Sequence, residues 1–144
     1  MSKSAFRPLV AALAIAALGA CHARTRVVAE APGTVTLAPV CTDGVIIYDS
    51  GDQVPADFRE VAWLETEGNA VWTRDATMKR SMQEKAGKLG ANGIIVSNFK
   101  STRSTAKLIG AALGGTENAE VKGSAMAIYI PSEASRSDAA CAGK

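Results

Sequence analysis

The stretch Asp75–Phe99, DATMKRSMQEKAGKLGANGIIVSNF, decides the fold of this chain. Its first half carries apolar residues at spacings of four, four and three, on one face of a helix: Met78, Met82, Ala86 and Leu89. Gly90 can adopt the left-handed conformation that ends a helix, and Ile94–Val96 then begins an apolar strand. The stretch therefore predicts an amphipathic helix, a glycine-bounded turn and a strand.

Three positions bear on the ends of this helix. Thr73 or Asp75 is expected to accept a hydrogen bond from the free amides of the first turn, and Asp75 also complements the helix dipole. Gly87 lies in the last turns, where glycine costs about 0.5–1 kcal/mol relative to alanine. Either the helix approaches a neighbouring segment closely at Gly87, or its end is weak.

Short apolar or alternating runs predict the strands, namely Val45–Tyr48, Phe58–Thr66, Ile94–Phe99 and Ala125–Ile130. Trp63 and Trp72 are expected to fill the core, as large rings usually do. The predicted fold is α+β, with a small mixed sheet of about four strands in the order β-β-α-β-β. One main amphipathic helix packs on one face of this sheet. The whole forms a single domain over residues 41–131.

The first twenty residues have the composition of a secretory signal. Lys3 and Arg7 precede the apolar run Leu9–Leu18, which with Gly19 and Ala20 reaches about twelve residues. A helix that spans the bilayer needs about twenty. Residues 1–20 are therefore predicted to be a targeting signal and not a permanent transmembrane helix.

The leader ends in Leu18-Gly19-Ala20-Cys21, and with this motif the chain resembles bacterial lipoproteins. The resemblance implies that Cys21 is acylated, with palmitate-type chains, and becomes the membrane anchor after cleavage. His22 stands where the inner-membrane retention signal of that family would have Asp, which implies an outer-membrane protein facing the periplasm. An ordinary secreted protein cut after Ala20 is the alternative.

Residues 21–40 are predicted to be a flexible tether, because Pro32, Gly33 and Pro39 interrupt a run without a sustained period. A short strand at Thr34–Leu37 is an open alternative within it. As a flexible coil, about eighteen residues span about 25 Å. His22 is the single histidine, so a histidine-based triad or a zinc site with two histidines is unavailable to the folded part.

Two segments carry a second resemblance, Lys85–Ile95 (KAGKLGANGII) and Gly123–Ile130 (GSAMAIYI). They look like a group of small, mostly uncharacterised bacterial lipoproteins. They are similar, more remotely, to the Rcs envelope-stress sensor lipoprotein and to the small domain of the YbjQ heavy-metal-binding family. The resemblance implies a fold and carries over no functional residue, because the cysteine framework of the stress sensor is not matched.

The composition of residues 132–144, small and polar, predicts a disordered tail. This tail contains Cys141, and with Cys21 acylated its one possible partner is Cys41. A single disulfide is the expectation for an oxidising periplasm, with free or intermolecular thiols as the alternative. The Gly110–Gly115 segment is predicted to be a glycine-rich connection, with a lipid-touching or partner-binding flap as the alternative.

The charge balance and the composition argue against nucleic-acid binding and give no sign of a catalytic site. Without Lys3 and Arg7 the chain has fourteen basic and fourteen acidic residues, and with 5% aromatics it lacks the basic stripe that nucleic-acid binding requires. Carboxylates such as Glu60, Glu65 and Glu67 are interpreted as solvated residues, so no catalytic residue and no cofactor is assigned.

The leading hypothesis is a non-catalytic envelope lipoprotein that binds a protein partner or senses envelope stress. The alternative is a metal-binding or small-ligand-binding lipoprotein. Its conceivable metal ligands are Cys41, Cys141, Asp43 and Asp49, which make a poor closed site without histidine.

Overall fold

A computed structural model describes residues 23–33, 36–69, 73–101 and 120–143, without the side chains of residues 98–101. Within these ranges the chain is α+β, as predicted, with one mixed sheet, a main helix and a short C-terminal helix. The elements are β1 (Arg24–Glu30), β2 (Ile46–Tyr48), β3 (Arg59–Asn69), α1 (Asp75–Lys88), β4 (Gly93–Ser101), β5 (Glu120–Tyr129) and α2 (Ala134–Cys141).

The described sheet has the strand order β1-β3-β5-β4-β2. The strands β2 and β4 pair in parallel, and the other neighbours are antiparallel. The four predicted strands and the helix are all present. The prediction of about four strands is one too few, because β1 adds a strand at the sheet edge.

β1 occupies part of the segment that was predicted to be a flexible tether, so that prediction is wrong for Arg24–Glu30. Alternate residues of β1 turn toward α1, and the Thr25 hydroxyl is hydrogen-bonded to those of Thr66 (3.1 Å) and Ser81 (2.7 Å). After the turn at Pro32–Gly33, the chain continues without regular structure over residues 36–40. It is nevertheless fixed there, since Val40 N–H donates to the Gly87 carbonyl at 2.8 Å.

The main core lies between α1 and one face of the sheet. The helix contributes its predicted apolar face, with Met78, Met82 and Ala86 fully buried, and the sheet contributes small and branched residues such as Leu64 and Ala125. The helix begins at Asp75, as predicted, but the expected capping bond is absent. Its N-cap residue is Arg74, which makes no side-chain capping bond, and Asp75 is the first helical residue.

A close approach explains Gly87. A Cβ atom at this position would lie 2.3 Å from the Val40 carbonyl oxygen, which no side chain tolerates. Gly90 has φ +81°, and a Cβ there would lie 2.3 Å from Leu37 Cβ. Of the two explanations left open for Gly87, the structure selects contact with a neighbouring segment and not a weak helix end.

Asn92 joins three strands at the point where α1 turns into β4. Its side-chain amide donates to the Ile130 carbonyl (2.8 Å), and its side-chain oxygen accepts from Ile130 N–H (2.7 Å). Its backbone N–H donates to the Ile128 carbonyl, and its carbonyl accepts from Ile46 N–H. The residue is fully buried. Asn92 therefore extends the β4–β5 ladder by one position beyond Gly93 and ties β2 to the same point.

The C-terminal segment, predicted to be a disordered tail over residues 132–144, contains α2 instead. Ser132 donates to the Asp57 carboxylate from its backbone N–H (3.0 Å) and its hydroxyl (2.9 Å), which lowers the pKa of Asp57. Ser137, which is buried, donates to the Gly44 carbonyl at 2.7 Å. These polar contacts attach the segment to the domain although its sequence carries no apolar stripe.

Candidate functional site

Cys41 and Cys141 form the predicted disulfide, with an S–S distance of 2.07 Å and a Cα–Cα distance of 5.7 Å. It joins the end of α2 to the residue that precedes the turn Thr42–Gly44. A Cβ at Gly44 would lie 2.7 Å from Val40 Cγ1 and 3.0 Å from Cys141 Sγ, so the turn packs tightly against the bridge. The disulfide therefore has a structural role, since it holds the end of α2 against this turn.

The residues considered as metal ligands are not arranged as a site. Both thiols of Cys41 and Cys141 are consumed in the disulfide. Asp43 and Asp49 each pair with a cationic side chain of α1. Across the ranges that the structure covers, no group of three or more histidine, cysteine and acidic residues is gathered as a metal site.

Cys21 lies outside the described residues, as do the predicted signal 1–20, His22, Thr34, Trp72 and the Gly110–Gly115 segment. The described chain begins at Ala23, whose carbonyl accepts a hydrogen bond from the Ser81 hydroxyl at 3.1 Å. One residue, His22, therefore separates the predicted anchor from the first residue held by the fold.

The face of the sheet opposite α1 carries a row of large apolar side chains. Successive register partners across four strands form this row, which is Trp63, Met126, Ile95 and Tyr48. Its inner part packs in a second small cluster with Ile128 and Ile130. Its outer part is open, since Trp63 is 43% exposed and Val28, the extra residue of the bulge in β1, is 60% exposed. We call Val28 and Trp63 the Trp63 surface.

The prediction that the tryptophans fill the core is therefore wrong for Trp63. Leu64 and Thr66 face the helix and are fully buried, so Trp63, one position away, points to the opposite face. Reading the alternation of β3 from Leu64 would have placed Trp63 on that face. The sequence does not indicate Val28 either, because residues 21–40 lack the sustained alternation that predicts a strand.

Ion pairs lie on the same open face as the Trp63 surface. Arg26 pairs with Glu65 and Glu67, and Lys122 pairs with Glu67 at 3.3 Å and Glu120 at 3.7 Å. The hydrogen bond from Arg26 lowers the pKa of Glu65, and Glu67 raises the pKa of Lys122. Glu65 and Glu67 are thus solvated, paired carboxylates, which agrees with their interpretation from the sequence.

A cleft of about 330 Å³ lies at the end of the sheet where β1 finishes and β3 begins. The turn Pro32–Gly33 and Leu37 form one wall, and Arg59, Glu60 and Tyr129 form the other. Its volume falls at the lower end of the range for small-ligand sites, about 300–1,000 Å³. Its lining combines the charged side chains of Arg59 and Glu60 with the apolar surface of Leu37 and Val61.

Neither described helix is long and apolar enough to cross a bilayer. No protein-family model and no curated protein matches the sequence. Among solved structures, the chain is similar to a Francisella virulence factor, FvfA, at 15% sequence identity and a TM-score of 0.50. The similarity covers 72% of this chain and 97% of that one. At this identity it concerns the fold alone.

Proposed function

We propose that this chain is a bacterial envelope lipoprotein, anchored by acylated Cys21, whose folded domain is non-catalytic and binds a protein partner. One observation carries the anchor: Leu18-Gly19-Ala20-Cys21 follows a charged start and a short apolar core. Because His22 is not Asp, we place the protein at the outer membrane, facing the periplasm. The membrane and one envelope protein are its proposed partners, and nucleic acid is not among them.

The Trp63 surface supports the interaction part of this proposal. Exposed tryptophan is unusual on a small domain, and tryptophan is enriched among the residues that dominate binding energy at protein interfaces. Val28 enlarges the apolar area beside it, and the ion pairs of Arg26 and Lys122 supply a polar rim. A stress-sensing role is a narrower form of the proposal that rests on the remote resemblance to the Rcs sensor.

The second candidate is small-ligand binding. The cleft beside Pro32–Gly33 favours it, because Arg59 and the Tyr129 ring offer a charge and an aromatic surface at its wall. Metal binding has weaker support, since the disulfide leaves Cys41 and Cys141 without a thiolate to offer.

The anchor is tested by labelling cells that express the protein with a clickable fatty acid. We expect the label on the unaltered chain and its loss in Cys21→Ser, which should also leave the membrane fraction. The double variant Cys41→Ser/Cys141→Ser is the matched control and should keep the label, because neither cysteine follows a lipoprotein motif. Label that persists in Cys21→Ser would contradict the anchor.

The partner is tested by photo-crosslinking in intact cells. A photoreactive phenylalanine analogue at Trp63 keeps an aromatic ring in place and should give a discrete adduct with one envelope protein. Adding Val28→Glu should remove this adduct, because a charge would then enter the apolar contact. The analogue at Lys88, exposed at the end of α1, serves as the control position. Equal adducts from positions 63 and 88, or none from either, would count against the interaction.

A further inference from the structure

The link between the proposed anchor and the fold is very short. From Cys21 to Ala23 the chain spans at most about 7 Å even when fully extended. The tether expected from the sequence would have spanned about 25 Å as a coil. The difference arises because β1 begins at Arg24. A domain held this closely cannot move freely above the bilayer.

The fold also fixes where this link enters the domain. The Ala23 carbonyl is bonded to Ser81 in α1, and the next residues pair with the end of β3, beginning with Arg24 opposite Glu67. The strands β4 and β5 place Ser101 opposite Val121 at the same end of the sheet. We call this the Ala23 end. β1 runs away from it, so Glu30 lies about 23 Å from Ala23 along the strand.

The surface around Ala23 is formed largely by the first half of α1. A shallow cleft of about 360 Å³ lies between Ala23 and helix residues that include Ala76, Thr77 and Glu84. Thr77 is 54 positions from Ala23 in the chain but lines the same cleft. Residues that are distant in sequence are therefore next to the anchor in space.

The charges at the two ends of β1 differ. Arg24 and Arg74 are exposed at the Ala23 end and form no ion pair with any described residue, and the positive end of the α1 dipole lies there too. Asp75 offsets part of this charge. The other carboxylates near this end, Glu67, Glu84 and Glu120, are paired with Arg26, Lys88 and Lys122. The other end of β1 carries Glu30 and Glu60, with Arg59 beside them. Arginine suits lipid phosphates because its planar guanidinium can bond two oxygens together.

We propose that the domain stands on the membrane through the Ala23 end, with Arg24, Arg74 and the first turns of α1 against the lipid headgroups. β1 then points away from the bilayer, and the cleft of Arg59 and Tyr129 opens toward the periplasm. This orientation rests on the proposed lipid anchor. In this orientation the folded domain itself binds the membrane surface, in addition to the acyl chains on Cys21.

The test uses the acylated full chain in vesicles of phosphatidylethanolamine and phosphatidylglycerol that contain a headgroup-attached nitroxide quencher. A dye is placed on a noncanonical amino acid at Thr77 in one protein and at Glu30 in another, both exposed positions. We expect the dye at Thr77 to be quenched about twofold more strongly or better, because Glu30 lies about 23 Å from the anchor. A flexible Gly/Ser insertion of about fifteen residues after His22 should leave part of this difference, because the Ala23 end still contacts the headgroups. Adding Arg24→Gln and Arg74→Gln to the inserted protein should abolish it.

The outcomes separate the two proposals. Protein that fails to bind vesicles overturns the lipid anchor and the orientation together. Protein that binds but shows equal quenching at both positions, or stronger quenching at Glu30, overturns the orientation and leaves the anchor standing. Quenching that becomes equal with the Gly/Ser insertion alone also contradicts the proposal, since the short link and not the Ala23 end would then set the orientation.

Discussion

Replacing Asn92 by alanine is expected to lower the free energy of unfolding by about 3 kcal/mol, one of the largest effects available in this domain. The variant loses two side-chain hydrogen bonds and leaves the Ile130 N–H without a partner, while the Ile130 carbonyl still accepts from the Glu133 N–H at 3.1 Å. Ile130 is fully buried, so water cannot replace these bonds without opening the structure. The unpaired N–H costs about 1–3 kcal/mol, and the bond lost by the carbonyl, which keeps another donor, costs about 0.5–1.5 kcal/mol. Urea denaturation followed by circular dichroism measures the change.

Two further variants separate hydrogen bonding from packing at this site. Asn92→Asp keeps the shape and the acceptor but removes the donor and buries a carboxylate, so we expect a loss at least as large as in Asn92→Ala. Ser97→Ala, at an exposed position of the same strand, should stay within about 0.5 kcal/mol of the unaltered protein. If Asn92→Ala fell within about 1 kcal/mol, the bridging role of Asn92 would be refuted.

Removal of the disulfide in Cys41→Ser/Cys141→Ser is expected to cost about 2–5 kcal/mol of stability. The bridge closes a sequence separation of 100 residues, for which loop entropy alone gives about 4.7 kcal/mol. It also holds α2 against the turn at Gly44, where Ser137 makes its buried hydrogen bond. We expect α2 to detach before the sheet unfolds, since few apolar contacts retain it.

The unaltered protein in reductant is the natural comparison for this variant. Its urea midpoint should fall to that of the double variant, while the variant itself should not respond to reductant. Mass measurement after thiol alkylation should show two additional reactive thiols on reduction. An unchanged thiol count, or equal midpoints for the bridged and the serine forms, would be incompatible with a stabilising bridge.

The elements that the sequence predicts correctly are those whose buried residues recur at a regular spacing along the chain. α1 and β3–β5 alternate or repeat apolar residues at the spacing of their secondary structure, and the structure confirms them. β1 was missed because the bulge at Val28 breaks its alternation and two arginines occupy its outer face. The same features protect a sheet edge against unwanted pairing. The bulge and the arginines that keep this edge strand from pairing with other chains are therefore also the reason why the sequence pattern does not predict it.

The candidate site was predicted less well than the fold. The pairing of Cys41 with Cys141 followed from counting cysteines, but the helix that carries Cys141 did not, because α2 is held by Ser137 and the bridge and not by an apolar face. Asn92 lies in the segment that resembles small bacterial lipoproteins, and the resemblance assigns it no role. Its role depends on Ile130, 38 positions away, which no local pattern indicates.

The disulfide divides the described chain topologically. The covalent ring closed by Cys41 and Cys141 contains β2 to β5 and both helices, and it leaves β1 outside. The strand nearest the proposed anchor is therefore the one that can peel away while the ring keeps its register. Because Leu37 and Val40 stay packed against the end of α1, detachment of β1 would lengthen the link to about fifteen residues, with a reach of about 21 Å as a coil and about 50 Å when fully extended. The distance between the domain and the bilayer would then depend on force, because tension that detaches β1 lengthens the link.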